Sequence, residues 1–271
     1  MTVDPATPAD RGYLLGNDAP AAMDRFTAFV SLFDPSTFRH MDELGLQPGW
    51  RCWEVGAGGT SVVQWLADRV GHTGHVLATD LDISWASGAT RPSVEVRRHD
   101  VAQSPPPDPE FDLVHARLVL VHLPDRDAAL ANMVAALRPG GWLFIEDADP
   151  ALQPLSCLEE RGPAQELANR LRRGFRALMA SRGADLAYGR TLPRRLRAAG
   201  LVDVAADAAF PVALPACAQL EAATITLIRA QLVAHAIATE AEIERHLASV
   251  AAGTLDLTQP PMIACWGRRP L

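Results

Sequence analysis

The sequence has few cysteines, and they lie far apart, at Cys52, Cys157, Cys217 and Cys265. No two of them form a C-x-x-C pair, which argues against a disulfide framework and against a cysteine-rich zinc site. We therefore expect reduced thiols and a cytoplasmic protein. The first residues, MTVDPATPADRG, lack the basic-then-apolar pattern of a signal sequence, which agrees with that expectation.

Long apolar runs and an excess of positive charge are also missing. No apolar run approaches the roughly 20 residues that span a bilayer, so we expect no membrane partner. The net charge is −7, whereas nucleic-acid binding usually requires a basic face. We therefore expect no nucleic-acid partner. With 271 residues, 48% of them hydrophobic, the chain can bury the core of one large α/β domain.

The sequence does contain a glycine turn between an apolar strand and an amphipathic helix, at Glu54-Val55-Gly56-Ala57-Gly58-Gly59. Glycines allow a tight turn and a close approach of a ligand, and the following helix N-terminus offers free N–H groups. A dinucleotide-binding turn would carry a third glycine where Ser61 stands. Glu54 would repel a pyrophosphate and attract an ammonium or sulfonium group. The turn thus favours a cationic ligand, with an ordinary strand–helix turn as the alternative.

This turn resembles motif I, E/D-x-G-x-G-x, of the class I S-adenosylmethionine (SAM)-dependent methyltransferases. Further family signals follow in order: Asp80 ends a second strand, Asp100 follows a third, a fourth strand covers 111–116, and Arg138-Pro139-Gly140-Gly141 precedes a fifth. The whole chain looks similar to the bacterial small-molecule methyltransferases of secondary metabolism, which suggests a role in antibiotic biosynthesis. The resemblance implies a Rossmann-like α/β fold. That fold has a seven-stranded sheet, mostly parallel with an antiparallel last strand, and we expect a helical N-terminal arm and helical insertions to form a substrate lid.

The resemblance implies SAM as cofactor and S-adenosylhomocysteine as product. Asp80 would take two ribose hydroxyls and Asp100 the adenine amino group, while the residue after each acid would pack against the adenine. Backbone groups after strand four would flank the methionine moiety. The expected cofactor-binding residues are Glu54, Gly56, Ala57, Gly58, Asp80, Leu81, Asp100, Val101, Ala116 and Arg117.

The implied activity is methyl transfer to an oxygen, nitrogen or carbon of a hydrophobic or aromatic small molecule. Alignment of the acceptor with the S–CH₃ bond supplies much of such catalysis, and a base helps only when the acceptor must lose a proton. His122, His115 and Asp147 are the candidate bases, although a core histidine and a helix-capping acid are the alternatives. The acids at 146–149 lack a visible full ligand set for Mg²⁺, so we expect no metal.

We expect one domain overall, in four segments. These are an N-terminal arm with helices at 1–48, a cofactor-binding core at 49–149, a helical insertion at 150–190, and 191–271, which carries strands six and seven around a second insertion. Within the arm, Asp34 and Pro35 predict the start of a separate second helix, which Gly45 would end.

Both insertions follow the carboxyl ends of strands, where open α/β sheets bind ligands. We therefore expect them to cover the substrate together with the arm, with Tyr13, Phe175 and Met179 as lid residues. The alternative is that they only extend the fold or form a homodimer contact. The arginines of the first insertion, Arg170, Arg172, Arg173 and Arg176, are expected on a solvated face, with binding of an acidic substrate or of a partner subunit as the alternative.

Two other functions are weighed against methyl transfer. One is a SAM-binding protein on the same fold that does not methylate, either cyclase-like or regulatory. The other is a NAD-dependent oxidoreductase, which Ser61 and Glu54 disfavour.

Overall fold

The computed structural model describes Leu14 and residues 20–271, with the backbone alone at 20–22. The chain divides into two compact units. The first, here called the helical unit, comprises Met1–Leu32, Pro150–Leu186 and Phe210–Pro261. The second, called the sheet unit, comprises Phe33–Asp149, Ala187–Ala209 and Met262–Leu271. Tyr13, one of the expected lid residues, lies outside the described residues.

The sheet unit is built on seven strands in the order β3-β2-β1-β4-β5-β7-β6. They are β1 (Arg51–Val55), β2 (His75–Asp80), β3 (Val94–Arg98), β4 (Phe111–Arg117), β5 (Leu137–Ala148), β6 (Val202–Ala209) and β7 (Met262–Arg268). β1 to β5 pair in parallel, whereas β7 is antiparallel to both β5 and β6. The predicted Rossmann-like sheet is confirmed. The strand order reverses between β1 and β4, which is where sheets of this kind bind ligands.

Eight α-helices accompany the strands within the described residues. They are α1 (Pro20–Glu43), α2 (Ser61–Val70), α3 (Arg126–Ala136), α4 (Pro163–Ser181), α5 (Leu192–Ala198), α6 (Pro215–Leu227), α7 (Arg229–Ala234) and α8 (Glu240–Ala251). In this part of the chain no helix combines the length and apolar character needed to cross a membrane. Thr239 and Glu242 close a capping box at the start of α8, as the sequence predicts.

The prediction of a separate helix beginning at Pro35 is wrong, because Pro35 lies inside the single helix α1. A proline in a helix interior removes one hydrogen bond and clashes with the preceding turn, at a cost of about 3 kcal/mol. Polar contacts on either side of Pro35 offset that cost. Asp34 accepts from Arg117, and the Thr37 hydroxyl donates to Glu146. These contacts tie this turn of α1 to β4 and β5.

The Arg138-Pro139-Gly140-Gly141 stretch, expected as a turn before the fifth strand, forms the first part of β5 itself. A Cβ on Gly141 would lie 2.7 Å from the Phe111 carbonyl oxygen, so only glycine allows β4 and β5 to approach here. The register between the two strands shifts between Phe111 and Leu113. Because Gly141 has no side chain, β5 can pair with β4 at this point, and β5 therefore begins earlier than the sequence predicts.

Side chains alternate between the two faces of the sheet, and each face has its own core. One face buries Trp53, Val114 and Ile145 against residues of α3 and α5. The opposite face buries Cys52 and Phe144 among residues of α1 and α2. Glu54, His115 and Glu146 share this second face, which sets up the polar cluster described below.

The helical unit has a separate apolar core, to which Met179 and, half-buried, Phe175 of α4 belong. The expectation of a solvated arginine face is wrong for Arg172, which is 4% exposed. Its guanidinium donates to Glu221 at 2.9 Å, and Glu221 also bonds His246 at 3.2 Å. Burial of this arginine is tolerable because an anionic partner compensates its charge.

Candidate functional site

The glycine turn after β1 has the close packing that its sequence predicts. Gly56 and Gly58 have φ of +64° and +56°, in the left-handed region that favours glycine. A Cβ on Gly56 would overlap a methyl group of Val119. The Gly58 N–H donates to Asp80 Oδ2 at 3.0 Å, and the Ala57 N–H donates to the Thr79 carbonyl at 3.0 Å. The turn is therefore held against the end of β2.

The helix after this turn begins without a side-chain cap. α2 starts at Ser61, and its N-cap residue Thr60 makes no side-chain capping bond. The first N–H groups of a helix have no partner within the helix and carry a partial positive charge. These groups are thus available to a ligand at the carboxyl end of β1.

The two acids expected to bind the nucleoside stand where the sequence predicts, each fixing its own loop. Asp80 Oδ1 accepts from the Asp82 N–H at 3.0 Å, and Asp100 Oδ1 accepts from the N–H groups of Ala102 and Gln103. A carboxylate oxygen has two lone pairs, so these bonds leave acceptor capacity for a ligand. Leu81 is 55% exposed, whereas Val101 is buried in the core. Their contact with an adenine stays a prediction.

Between β1 and β5 lies a fully buried polar cluster centred on His115. Its Nδ1 is 2.6 Å from Glu54 Oε2, and its Nε2 is 3.2 Å from Glu146 Oε2. Strand register explains the arrangement, because His115 of β4 lies directly beside Glu54 of β1 and beside Phe144 of β5. The ring of Phe144 packs on the imidazole with 5.0 Å between centroids. All three polar side chains are thus held by neighbouring strands.

The two carboxylates determine the charge of His115. Burial by itself would lower its pKa, but the charge of Glu54 and the bonds to both acids outweigh burial and raise the pKa of His115 to about 9. Burial would raise the pKa of Glu146, but bonding to His115 and the nearby charges lower it. At neutral pH the cluster therefore contains an imidazolium between carboxylates.

The cluster extends to α1 through a chain of hydrogen bonds. The Thr37 hydroxyl donates to Glu146 Oε2 at 2.6 Å and accepts from Arg117 Nη1 at 3.0 Å. Arg117 also binds Asp34 at 2.8 Å. The cluster contains three carboxylates, those of Glu54, Glu146 and Asp34, and two cations, His115 and Arg117. Its net charge is therefore about −1, and an uncompensated charge is costly in this poorly solvated region. Such a site suits a cationic ligand better than a pyrophosphate.

Asp147 points to the opposite face of the sheet from Glu146 and is fully buried. Burial raises the pKa of its carboxyl well above the usual range, against the lowering effect of the backbone N–H groups of Val121 and Leu120. Neither carboxylate oxygen has a partner with good hydrogen-bond geometry among the described residues. The carboxyl of Asp147 therefore holds its proton to a higher pH than an exposed aspartate does.

The remaining acids of the 146–149 run do not converge on one point. Asp149 is buried and accepts a two-pronged ion pair from Arg190, at 2.6 and 2.7 Å. Glu146 instead faces His115. His122, the third candidate base, is half-buried in a short 3-10 turn after β4, and Ala116 is buried within β4. Consecutive strand residues point to opposite faces, which explains why these acids separate.

A family model described as "Methyltransferase domain" matches residues 53–145 of this chain. This stretch is a class I methyltransferase domain. It begins within β1, contains the glycine turn, Asp80, Asp100 and the whole of β2 to β4, and ends within β5.

Known proteins share this domain over part of their length. Phosphoethanolamine N-methyltransferase of Triticum aestivum is 28% identical over 178 residues, which cover 64% of this chain and 32% of that protein. The ubiquinone/menaquinone biosynthesis C-methyltransferase UbiE of Vibrio cholerae is 31% identical over 128 residues, 44% of this chain and 49% of the relative. The chain thus spans between about a third and a half of these relatives' lengths.

A solved structure shares the fold across nearly the whole chain. Phosphoethanolamine N-methyltransferase 2 of Haemonchus contortus, in complex with phosphomonomethylethanolamine and S-adenosylhomocysteine, superposes with a TM-score of 0.59. The match covers 96% of this chain and 61% of that chain, at 14% sequence identity. At this identity the likeness shows the fold alone.

Sequence reasoning missed the roles of Glu146 and Thr37 in the buried cluster. Thr37 lies 109 residues from Glu146 in sequence, so no local pattern joins them. One signal was available for His115. A histidine in an apolar strand needs a partner, and the family strand order places β4 beside β1, where Glu54 stands.

Proposed function

We propose that this chain binds SAM beyond the carboxyl ends of β1 to β4 and transfers the methyl group to a small molecule. The observation that carries the proposal is the glycine turn, fixed to Asp80 through the Gly58 N–H beside the uncapped start of α2. Bound SAM supplies a methyl group already activated by the sulfonium. The chain's own residues then need to bind, orient and exclude water.

We assign the cofactor residues the following roles. Gly56, Ala57 and Gly58 let the ligand approach the backbone, and the net negative charge around Glu54 favours its cationic end. Asp80 and Asp100 would bind the ribose and the adenine with their remaining lone pairs, beside Leu81 and Val101. Backbone groups of Ala116 and Arg117 would flank the methionine moiety.

For the acceptor we propose a hydrophobic or aromatic small molecule, methylated on oxygen, nitrogen or carbon. The named relatives, an N-methyltransferase and a C-methyltransferase, support a small-molecule acceptor without choosing the atom. Of the candidate bases we retain His122 and Asp147. Since His115 already carries its proton between two carboxylates, it cannot accept another.

Several parts of the proposal rest on sequence reasoning. The first is the lid formed by the arm and the insertions, with Tyr13, Phe175 and Met179. The others are the cytoplasmic location, the lack of a metal requirement, the lack of a nucleic-acid or membrane partner, and the role in secondary metabolism. A homodimer is the alternative use of the insertions. Each of these stays a prediction.

A methyl-transfer assay tests the proposal. The protein is incubated with methyl-labelled SAM and a panel of phenols, amines and carbon acids, and S-adenosylhomocysteine release is followed with label in product. Asp80→Ala should abolish release by weakening SAM binding. Asp82→Ala is the matched control, because Asp82 lies on the same loop but is exposed and has no cofactor role in our assignment.

The alternatives give different results in the same experiment. SAM binding without S-adenosylhomocysteine release from any acceptor would favour the cyclase-like or regulatory alternative. Binding of NADH with no binding of SAM would favour the oxidoreductase. Equal loss in Asp80→Ala and Asp82→Ala would contradict the assignment of Asp80.

A further inference from the structure

His115 lies between two acids that can only accept hydrogen bonds. Glu54 Oε2 is 2.6 Å from Nδ1, and Glu146 Oε2 is 3.2 Å from Nε2. An ionised carboxylate has no hydrogen to donate, so each ring nitrogen must donate its own. Both nitrogens carry hydrogen when both carboxylates are ionised, and the raised pKa of His115, about 9, agrees with an imidazolium at neutral pH.

The imidazolium is also prevented from turning. On its far side, Glu146 Oε2 accepts from the Thr37 hydroxyl at 2.6 Å, and Thr37 is itself bonded by Arg117. The ring of Phe144 packs against the imidazole. The side chain of His115 has no measurable exposure. These contacts come from α1, β1, β4 and β5. They fix the orientation of the His115 ring and of the Glu54 carboxylate that it contacts.

The other ring nitrogen of His115, Nδ1, contacts the carboxylate of Glu54. The side chain of Glu54 is 3% exposed and stands two residues before Gly56, at the end of β1. A buried carboxylate without a charged partner is strongly disfavoured and takes up a proton or turns away. The placement of the Glu54 carboxylate beside the glycine turn therefore depends on its contact with His115.

We propose that His115 is a positioning residue for the cofactor, which as an imidazolium holds the carboxylate of Glu54 in place beside the glycine turn. The inference rests on the proposed function, because it concerns how the same site receives the positive charge of SAM. It gives His115 a role other than that of a base. Thr37 and Glu146 act behind it, since they hold the ring from the side away from Glu54.

A double-mutant cycle tests this role by calorimetric titration of SAM at pH 7.5. Removing the partner of a charged hydrogen bond should weaken SAM binding by about 10-fold to 100-fold in His115→Asn. Glu54→Gln should weaken it similarly. If His115 acts through Glu54, the double variant should bind no more weakly than Glu54→Gln alone. His72→Asn, an exposed histidine after α2, is the matched control and should bind as the wild type does.

The outcomes separate the two proposals. No SAM binding by the wild-type protein would overturn the proposed function. Wild-type binding with independent, multiplying losses in the cycle would overturn the positioning role alone. A lower unfolding midpoint of His115→Asn with unchanged SAM affinity would make His115 purely structural.

A spectroscopic measurement covers the case in which His115→Asn fails to fold. Nitrogen-15 NMR of the wild-type imidazole should show both ring nitrogens protonated at pH 7.5. A neutral His115 ring in the wild type at pH 7.5 would overturn the proposal.

Discussion

Gly56 lies at a position where two independent constraints exclude a side chain. Its φ of +64° is left-handed, which costs an L-residue about 1–2 kcal/mol. A Cβ would also overlap a Val119 methyl group, and overpacking of this kind costs about 1–3 kcal/mol. Gly56→Ala should therefore lower the free energy of unfolding by about 2–5 kcal/mol, the sum of the two effects.

Gly45 provides the matched control for this prediction. It also has a positive φ, +85°, but a Cβ there would meet nothing within 4 Å. Gly45→Ala should therefore cost only the backbone contribution, about 1–2 kcal/mol. Urea unfolding of both variants measures the difference, provided that the slope against urea concentration is unchanged.

SAM titration of the same two proteins adds a functional comparison. Gly56→Ala should weaken SAM binding, because either the turn or Val119 must move, whereas Gly45→Ala should bind normally. Equal destabilisation in the two variants together with equal SAM affinity would refute the reasoning. That result would mean that Val119 rotates away at no cost and that the turn accepts a side chain.

Three further predictions concern stability. Glu221→Gln should destabilise by about 3–5 kcal/mol at pH 7, because Arg172 is left as a buried unpaired charge. Burial would raise the pKa of Glu221, but Arg172 and His246 lower it to about 2. The wild type should thus lose this stabilisation as pH falls from about 4.3 towards 2, and acid unfolding of Glu221→Gln should lack that step. Asp147→Asn should stabilise at pH 7 and have little effect below about pH 4, because a carboxyl with a raised pKa must take up a proton on folding as pH rises. Thr239→Ala should cost about 1 kcal/mol in urea unfolding through loss of the capping box.

The parts of the fold that the sequence predicts are those with local signals. The glycine turn and the acids at the ends of β2 and β3 follow from short patterns, and parallel pairing then brings them to one edge of the sheet. The Thr239 capping box is likewise a four-residue pattern. These features could be predicted because each depends on neighbours in the chain.

The features that were missed depend on partners far away in sequence. A proline after an aspartate predicts a helix start, yet Pro35 stays inside α1, where Arg117 and Glu146 hold the helix on both sides of it. Arg172 sits among arginines that pattern reasoning assigns to solvent, and only the packing of α6 supplies its buried partner Glu221. Tertiary contacts overrode local preference in both cases.

The claim that the glycine turn binds SAM and not a dinucleotide is tested most directly by calorimetric titration of the purified protein with SAM, S-adenosylhomocysteine and NADH. We predict micromolar binding of SAM and S-adenosylhomocysteine and no measurable binding of NADH. Binding of NADH without binding of either SAM or S-adenosylhomocysteine would contradict it.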